Sequence, residues 1–153
     1  MRRVVVTGMG IVSSIGNNTQ EVMASLYEAR SGIIHADRYA ELGFRCQVHG
    51  APTLDPNEIV DRRAMRFHAV GTAWNHVAMD QAILDAGLEE RDISNERTGI
   101  VMGSGGPSTR TIVEAADITR EKGGPKRIGP FAVPKSMSST RSEEHTSELQ
   151  SHH

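Results

Sequence analysis

The sequence is poor in cysteine, in aromatic residues and in long apolar runs. Its 153 residues include one cysteine, which excludes an internal disulfide and fits the reducing cytoplasm where we expect the protein. No apolar stretch reaches the roughly 18 residues of a membrane span, and no charged-then-apolar leader indicates secretion. A formal net charge of −2 gives no bias toward nucleic acid or a membrane surface.

The patterns that are present favour an α/β fold. Two β-branched or apolar runs that lead into glycine-rich turns predict buried strands at Val4–Val6 and Thr98–Met102. Helices are expected from Asn18 to Gly32, from about Asp61 to Ala86 and from about Thr111 to Glu121. Strand–helix–helix–strand–helix order indicates α/β layering. Two strands are fewer than the five or six of an ordinary sheet, so we expect an incomplete domain with sheet strands missing.

Local signals refine these helices. Asn18 and Glu21 predict a capping box, Gly32 predicts a C-terminal cap, and the buried stripe is expected at Val22, Leu26 and Ala29. Between the first two helices we expect loops or short strands around Arg45–Val48, and after the second a loop at Asp92–Asn95. The long helix ends at Gly87 and is expected to pack through Val70, Ala73, Trp74, Val77 and Ile83.

Two histidines and the single cysteine are candidate chemical groups. His68 and His76 are eight residues apart on the predicted helix, too far for a shared ligand pair, which favours surface or packing roles. Cys46 has no helix N-terminus or placed histidine to stabilise a thiolate, so we interpret it as structural rather than nucleophilic.

Two glycine-rich turns resemble phosphate-binding motifs incompletely. Thr7-Gly8-Met9-Gly10 follows a strand, but Ser13 replaces the third glycine and the helix begins too late to meet a pyrophosphate. A small nucleotide-binding oxidoreductase remains an alternative, with a structural turn favoured. Gly103-Ser104-Gly105-Gly106 lacks the Gly-Lys-Ser/Thr ending of a P-loop, which favours close backbone approach near a pocket.

Basic residues concentrate in two segments, Asp61-Arg62-Arg63-Ala64-Met65-Arg66 and the loop with Lys122, Lys126 and Arg127. Solvated charged segments are the simpler interpretation. Because cations near a helix N-terminus oppose the macrodipole, an anionic partner remains open.

Taken in order, these motifs resemble one family. Val4 to Asn18 (Val-Val-Val-Thr-Gly-Met-Gly-Ile-Val-Ser-Ser-Ile-Gly-Asn-Asn) is similar to the opening of the β-ketoacyl-acyl-carrier-protein synthase I family of condensing enzymes. Asp61-Arg62-Arg63, Gly103-Ser104-Gly105-Gly106, Gly129-Pro130-Phe131 and Met137-Ser138-Ser139-Thr140 continue the resemblance over residues 1–140.

The resemblance implies part of a thiolase-like fold, a homodimer, and decarboxylative Claisen condensation of an acyl thioester with malonyl-acyl-carrier protein. Cys46 does not match the family's nucleophile motif, and the family's catalytic cysteine and histidines match no residue of this chain. We therefore expect the chain to be inactive alone. We expect no cofactor and no metal.

The resemblance carries binding residues over to this chain. Arg63, Arg66 and Lys126 match the basic surface that meets acyl carrier protein, and Arg127 adjoins it. Gly106 and Met137 match residues near the acyl pocket and dimer interface, although Pro107 replaces a smaller residue in that loop. A non-catalytic carrier-protein-binding or dimerisation module is the alternative.

The last thirteen residues, 141–153, do not continue the family pattern. A common short-read sequencing adapter, translated in one frame, gives the same eleven residues from Arg141 to Ser151. We expect residues 1–140 to form a partial thiolase-like domain and residues 141–153 to be an artefactual or disordered tail, whose histidines are not metal ligands.

Overall fold

The computed structural model describes residues 3–137, so the predictions for the tail lie outside the described residues. The described residues divide into two compact units, one formed by residues 3–55 and 77–87 and the other by residues 56–76 and 88–137. The helices are α1 (Thr19–Tyr27), α2 (Asp37–Glu41), α3 (Val70–Ala86), α4 (Glu90–Ile93), α5 (Thr109–Glu121) and α6 (Ala132–Ser136). The strands are β1 (Ile33–His35) and β2 (Val48–Gly50), and three 3₁₀ turns span Pro56–Glu58, Ala64–Arg66 and Pro125–Arg127. None of the described helices is long and apolar enough to cross a membrane.

Helix α1 of the first unit begins where its capping residues predict. The Asn18 side-chain oxygen accepts the Glu21 amide at 2.9 Å, and the Glu21 carboxylate accepts the amide of Asn17 at 2.8 Å. These bonds satisfy donors that an uncapped helix start leaves open. Val22 is buried as expected, but Leu26 is exposed and Ser25 is buried instead. The predicted buried stripe is therefore wrong after Val22. Ser25 is buried in place of Leu26 because its hydroxyl donates to the Ile15 carbonyl at 2.6 Å.

The end of α1 differs from its prediction at Gly32. The helix stops at Tyr27, and Ala29 takes a left-handed φ of 53°. The amide of Ala29 donates to the Leu26 carbonyl at 3.3 Å, and the amide of Arg30 to the Ser25 carbonyl at 2.8 Å. This is the Schellman pattern, with an exposed alanine where glycine is usual. Gly32 serves a different purpose, since a Cβ there would overlap Ser14.

The sheet of the first unit is a short antiparallel pair. Strands β1 and β2 pair with Ile34 opposite His49, and β2 lies slightly after the expected Arg45–Val48. Tyr39 belongs to the segment that connects the two strands, and the centroid of its ring lies 5.5 Å from that of His49. This connecting segment therefore packs locally on its own hairpin.

Val4–Val6 is not a strand, and its side chains are 95, 74 and 82% exposed. The strand prediction is wrong because a strand requires hydrogen bonds to a neighbour, and no described segment pairs with these residues. The turn after them packs against α3 instead. A Cβ on Gly8 would overlap the Ala82 carbonyl, and one on Gly10 the Ala78 carbonyl.

Helix α3 begins at Val70 rather than Asp61. The Asp61 carboxylate accepts the amides of Arg63 at 2.6 Å and Ala64 at 3.3 Å, which closes a separate turn. Such local side-chain bonds compete with a continuous helix. Gly87 ends α3 with φ 64°, as predicted. Of the expected packing residues Ala73 and Val77 are buried, Trp74 and Ile83 half-buried, and Val70 exposed.

In the second unit the expected strand Thr98–Met102 is also wrong. Val101 is 98% exposed, and within the described part no strand pairs with this segment. The expected loop at Asp92–Asn95 overlaps α4, which Glu89 and Asp92 cap reciprocally. Helix α5 starts two residues before its prediction, with Ser108 as its cap. Residues 3–137 thus form a mixed α and β structure with a small sheet.

Candidate functional site

A cavity of about 470 Å³ lies in the second unit at the beginning of α5. Both residues that the sequence assigns to an acyl pocket, Gly106 and Met137, line it. The residues that also line it include His68, Thr72, Glu114 and Lys135. Residues from three separate segments therefore meet at one cavity. The role of Gly106 and Met137 there stays a prediction.

Serine contacts bring Gly106 and Met137 together. The Ser108 backbone amide donates to the Ser136 carbonyl at 3.2 Å, which links the start of α5 to the end of α6. The Ser108 hydroxyl accepts the Thr111 amide at 3.4 Å and thereby caps α5. Gly106 lies just before Ser108, and Met137 directly follows Ser136. The hydrogen bond between the two serines therefore holds the segments of Gly106 and Met137 together at the cavity wall.

The glycine loop before α5 contributes to the cavity without the expected close backbone approach. A Cβ on Gly103, Gly105 or Gly106 would meet no atom within 4 Å. The Ser104 hydroxyl donates to the Gly106 carbonyl at 2.8 Å and holds the loop locally. The prediction of a nearby pocket is confirmed by the position of Gly106, while the prediction of crowding is wrong.

Four exposed cations in this unit form what we call the basic surface: Arg63, Arg66, Lys126 and Arg127. The described part of the chain gives none of them an ion-pair partner. Their segments are joined through Phe67 and Phe131, whose rings meet edge to face with centroids 5.1 Å apart. This cation density is therefore available to a negatively charged partner. Its role in carrier binding stays a prediction.

Cys46 is exposed, and its thiol contacts the Val48 carbonyl at 3.6 Å. It lies next to β2 in the first unit, where no described helix begins behind it. Among the described residues, no group of three or more histidine, cysteine or carboxylate side chains could hold a metal ion.

The structure places His68 and His76 together. His68 precedes the start of α3, and the two ring centroids lie 5.6 Å apart with planes tilted by 46°. The prediction that they are too far apart is wrong because it assumed one continuous helix, on which eight residues rise about 12 Å. The packing role predicted for them is confirmed by the contact of the two rings and the burial of His68. The neighbouring Thr72 is also buried. Sequence reasoning missed Thr72, Glu114 and Lys135 as cavity residues, and no pattern marks them.

A family model described as "Beta-ketoacyl synthase, N-terminal domain" matches residues 1–149. The chain is 46% identical over 140 residues to 3-oxoacyl-[acyl-carrier-protein] synthase 1 of Haemophilus influenzae, which covers 92% of this chain and 34% of that protein. Synthase 1 of Escherichia coli K12 is likewise 46% identical, over 91% of this chain and 34% of its own length. The chain thus spans about a third of the length of these relatives.

Solved structures show the same likeness in three dimensions. The ishigamide ketosynthase/chain length factor superimposes with a TM-score of 0.83 at 26% identity, covering 97% of this chain and 37% of that chain. A type II PKS acyl-carrier protein in complex with its ketosynthase gives a TM-score of 0.69 at 18% identity, over 98% of this chain and 39% of that chain. The second likeness concerns the fold alone.

Proposed function

This chain belongs to the β-ketoacyl synthase family through its N-terminal domain, and from that membership we propose that it is part of a 3-oxoacyl-[acyl-carrier-protein] synthase of fatty-acid elongation. The reaction transfers an acyl group from the thioester of acyl carrier protein to an enzyme thiol, and the carrier leaves with a free thiol. Malonyl-acyl-carrier protein then loses CO₂, and its α-carbon forms a bond to the acyl carbonyl carbon as the thiol leaves. Identity of 46% to type 1 synthases, against 31% to a type 2 synthase of Vibrio harveyi, favours the type 1 reaction.

The observation that carries this proposal is the convergence of Gly106 and Met137 on one cavity. Glycine leaves space for a chain beside the backbone, and methionine adapts its unbranched side chain to an apolar ligand. The hydrogen bond from the Ser108 amide to the Ser136 carbonyl joins the two segments that carry Gly106 and Met137. We assign the acyl chain to this cavity, with Gly106 and Met137 as its contacts.

The basic surface supports acyl carrier protein as the partner. One related structure, by its title, holds a carrier protein in complex with its ketosynthase. Complementary charge accelerates association and is screened by salt. No ion pair within the described residues involves the side chains of Arg63, Arg66, Lys126 and Arg127, so their charges can meet an acidic carrier. Homodimer formation and a cytoplasmic location belong to the same proposal.

We assign no catalytic residue to this chain. Cys46, the single thiol of the sequence, is exposed and does not match the nucleophile motif of the family. The chain alone is expected to bind carrier protein without forming a carbon–carbon bond. The second candidate is a non-catalytic module that binds the carrier or dimerises.

A chimera tests the proposed function. Residues 1–140 of this chain replace the corresponding segment of the Escherichia coli synthase 1, whose own remainder is kept. We expect the chimera to condense acyl and malonyl thioesters, measured as β-ketoacyl product, while the 153-residue chain alone forms none. A folded chimera that binds carrier protein but forms no product would favour the non-catalytic module.

A further inference from the structure

We propose that the cavity at the start of α5 binds a free medium-chain fatty carboxylate, with the carboxylate at the first turn of α5 and the chain along Met137. The cavity of about 470 Å³ lies within the range of small-ligand pockets, about 300–1,000 Å³. The proposed function supplies the premise that this cavity holds an acyl chain. The free carboxylate is an additional ligand, which competes with that chain.

The first turn of α5 presents open hydrogen-bond donors at this cavity. Ser108 caps the helix through the amide of Thr111, whereas the amides of Thr109 and Arg110 donate to no described residue. All four residues line the cavity, and the first turn of this 13-residue helix contains no acidic residue. A helix start carries partial positive charge, and its open amides bind anions. The first turn of α5 therefore suits a carboxylate.

Two cations line the same cavity, Arg110 from α5 and Lys135 from α6. No ion pair within the described residues involves either side chain. Glu114 also lines the cavity, and its carboxylate opposes a bound anion. Because two cations and the helix start face one carboxylate, the lining carries a net positive charge, which favours an anionic ligand.

Thr72 is a buried polar residue in the wall of this cavity. It is 5% exposed and belongs to α3. Its hydroxyl forms no hydrogen bond with another described residue, yet its oxygen is not closed to solvent, so the cavity reaches it. A buried hydroxyl without a protein partner costs free energy unless water or a ligand supplies the hydrogen bond. An oxyanion in the cavity accepts this bond.

Apolar side chains line another part of the cavity: Val70, Trp74 and Met137. Burial of an alkyl chain against such side chains is favourable. A ligand with an anionic head and an apolar chain therefore uses both parts of the lining. Inorganic phosphate uses only the charged part, and an uncharged alcohol leaves the cations without a counter-charge.

The fluorescence of Trp74 reports binding, because Trp74 is the only tryptophan of the sequence and lines the cavity. Octanoate, octanol and inorganic phosphate are titrated separately into the full 153-residue chain. We expect octanoate to bind at least about tenfold more tightly than either of the others, because octanol lacks the charge and phosphate lacks the chain.

Lys135→Met removes one cation and keeps an unbranched side chain, so it should weaken octanoate binding at least about tenfold and leave octanol binding unchanged. Lys122→Met is the matched control, because Lys122 is exposed and lies outside the cavity, and it should leave octanoate binding unchanged. Glu114→Gln should tighten octanoate binding about threefold, because it removes the opposing carboxylate.

Octanoate that leaves the Trp74 fluorescence unchanged, or that binds no more tightly than octanol, overturns the proposal, and so do equal losses in Lys135→Met and Lys122→Met. Circular dichroism checks that each variant folds. If Lys135→Met unfolds, the comparison of octanoate with octanol in the unsubstituted chain decides the outcome. An active chimera beside a chain that does not bind octanoate contradicts only the carboxylate site, whereas octanoate binding beside an inactive chimera contradicts only the proposed function.

Discussion

The rings of Phe67 and Phe131 meet edge to face, with planes at 89° and centroids 5.1 Å apart. Phe67 follows the turn that carries Arg66, and Phe131 follows the turn that carries Lys126 and Arg127. An aromatic contact of this geometry contributes about 0.5–1.5 kcal/mol beyond its buried area. An apolar contact therefore joins the two segments of the basic surface. Their charged side chains are not needed for this contact and remain available to a partner.

Phe131→Ala tests this contact through stability. Removing a half-buried ring should lower the free energy of unfolding by about 2 kcal/mol, less than the about 3–5 kcal/mol of a fully buried phenylalanine. Urea denaturation followed by circular dichroism measures the loss. Tyr27→Ala is the control, since Tyr27 is 83% exposed, takes part in none of the ring contacts of the described residues, and should cost less. Equal losses in the two variants would contradict the contact.

Charge reversal tests the basic surface. Replacing Arg63, Arg66, Lys126 and Arg127 by glutamate should weaken binding to acyl carrier protein at least about tenfold and flatten its dependence on salt. Calorimetric titration at a low and a high salt concentration measures both effects. Arg97→Glu is the matched control for Arg63→Glu alone, because both variants reverse one exposed charge and Arg97 lies outside the basic surface. An equal loss in Arg97→Glu would indicate a net-charge effect without a defined surface.

Features that depend on near neighbours in sequence were predictable. Asn18 caps α1 through a bond from the amide of Glu21, three positions on, so the sequence contains both partners. Gly87 ends α3 because it adopts a left-handed φ of 64° that other residues disfavour. The family resemblance singled out Gly106 and Met137, which the structure brings to one cavity, and their role in an acyl pocket stays a prediction.

Features that depend on distant partners were not predictable from pattern. Val4–Val6 has strand composition, but strands form only where another strand accepts their hydrogen bonds, and the described residues provide none. The start of α3 was misplaced because the Asp61 carboxylate closes its own turn. That break places His68 outside the helix, so the contact with His76 could not be inferred from spacing.

Ala29→Gly should stabilise the protein. Ala29 adopts φ 53° at the end of α1, a conformation that costs an L-residue with a Cβ about 1–2 kcal/mol. Glycine avoids this cost but loses more entropy on folding, which leaves a net gain of about 0.5–1 kcal/mol. Thermal and urea unfolding measure the gain. Ala24→Gly, inside the same helix, is the control and should destabilise; stabilisation by both changes would contradict the local explanation.

Gly10→Ala distinguishes a packing turn from a nucleotide-binding turn. An alanine Cβ would overlap the Ala78 carbonyl on α3, so the backbone must shift and the free energy of unfolding should fall by about 2 kcal/mol or more. Gly99→Ala is the control, because a Cβ there meets nothing within 4 Å, and its effect should be below about 1 kcal/mol.

NAD or NADP added to the unsubstituted chain should leave the unfolding temperature unchanged, since α3 occupies the space beside Gly10. A rise that saturates with cofactor concentration, and that Gly10→Ala abolishes, would instead support nucleotide binding at this turn.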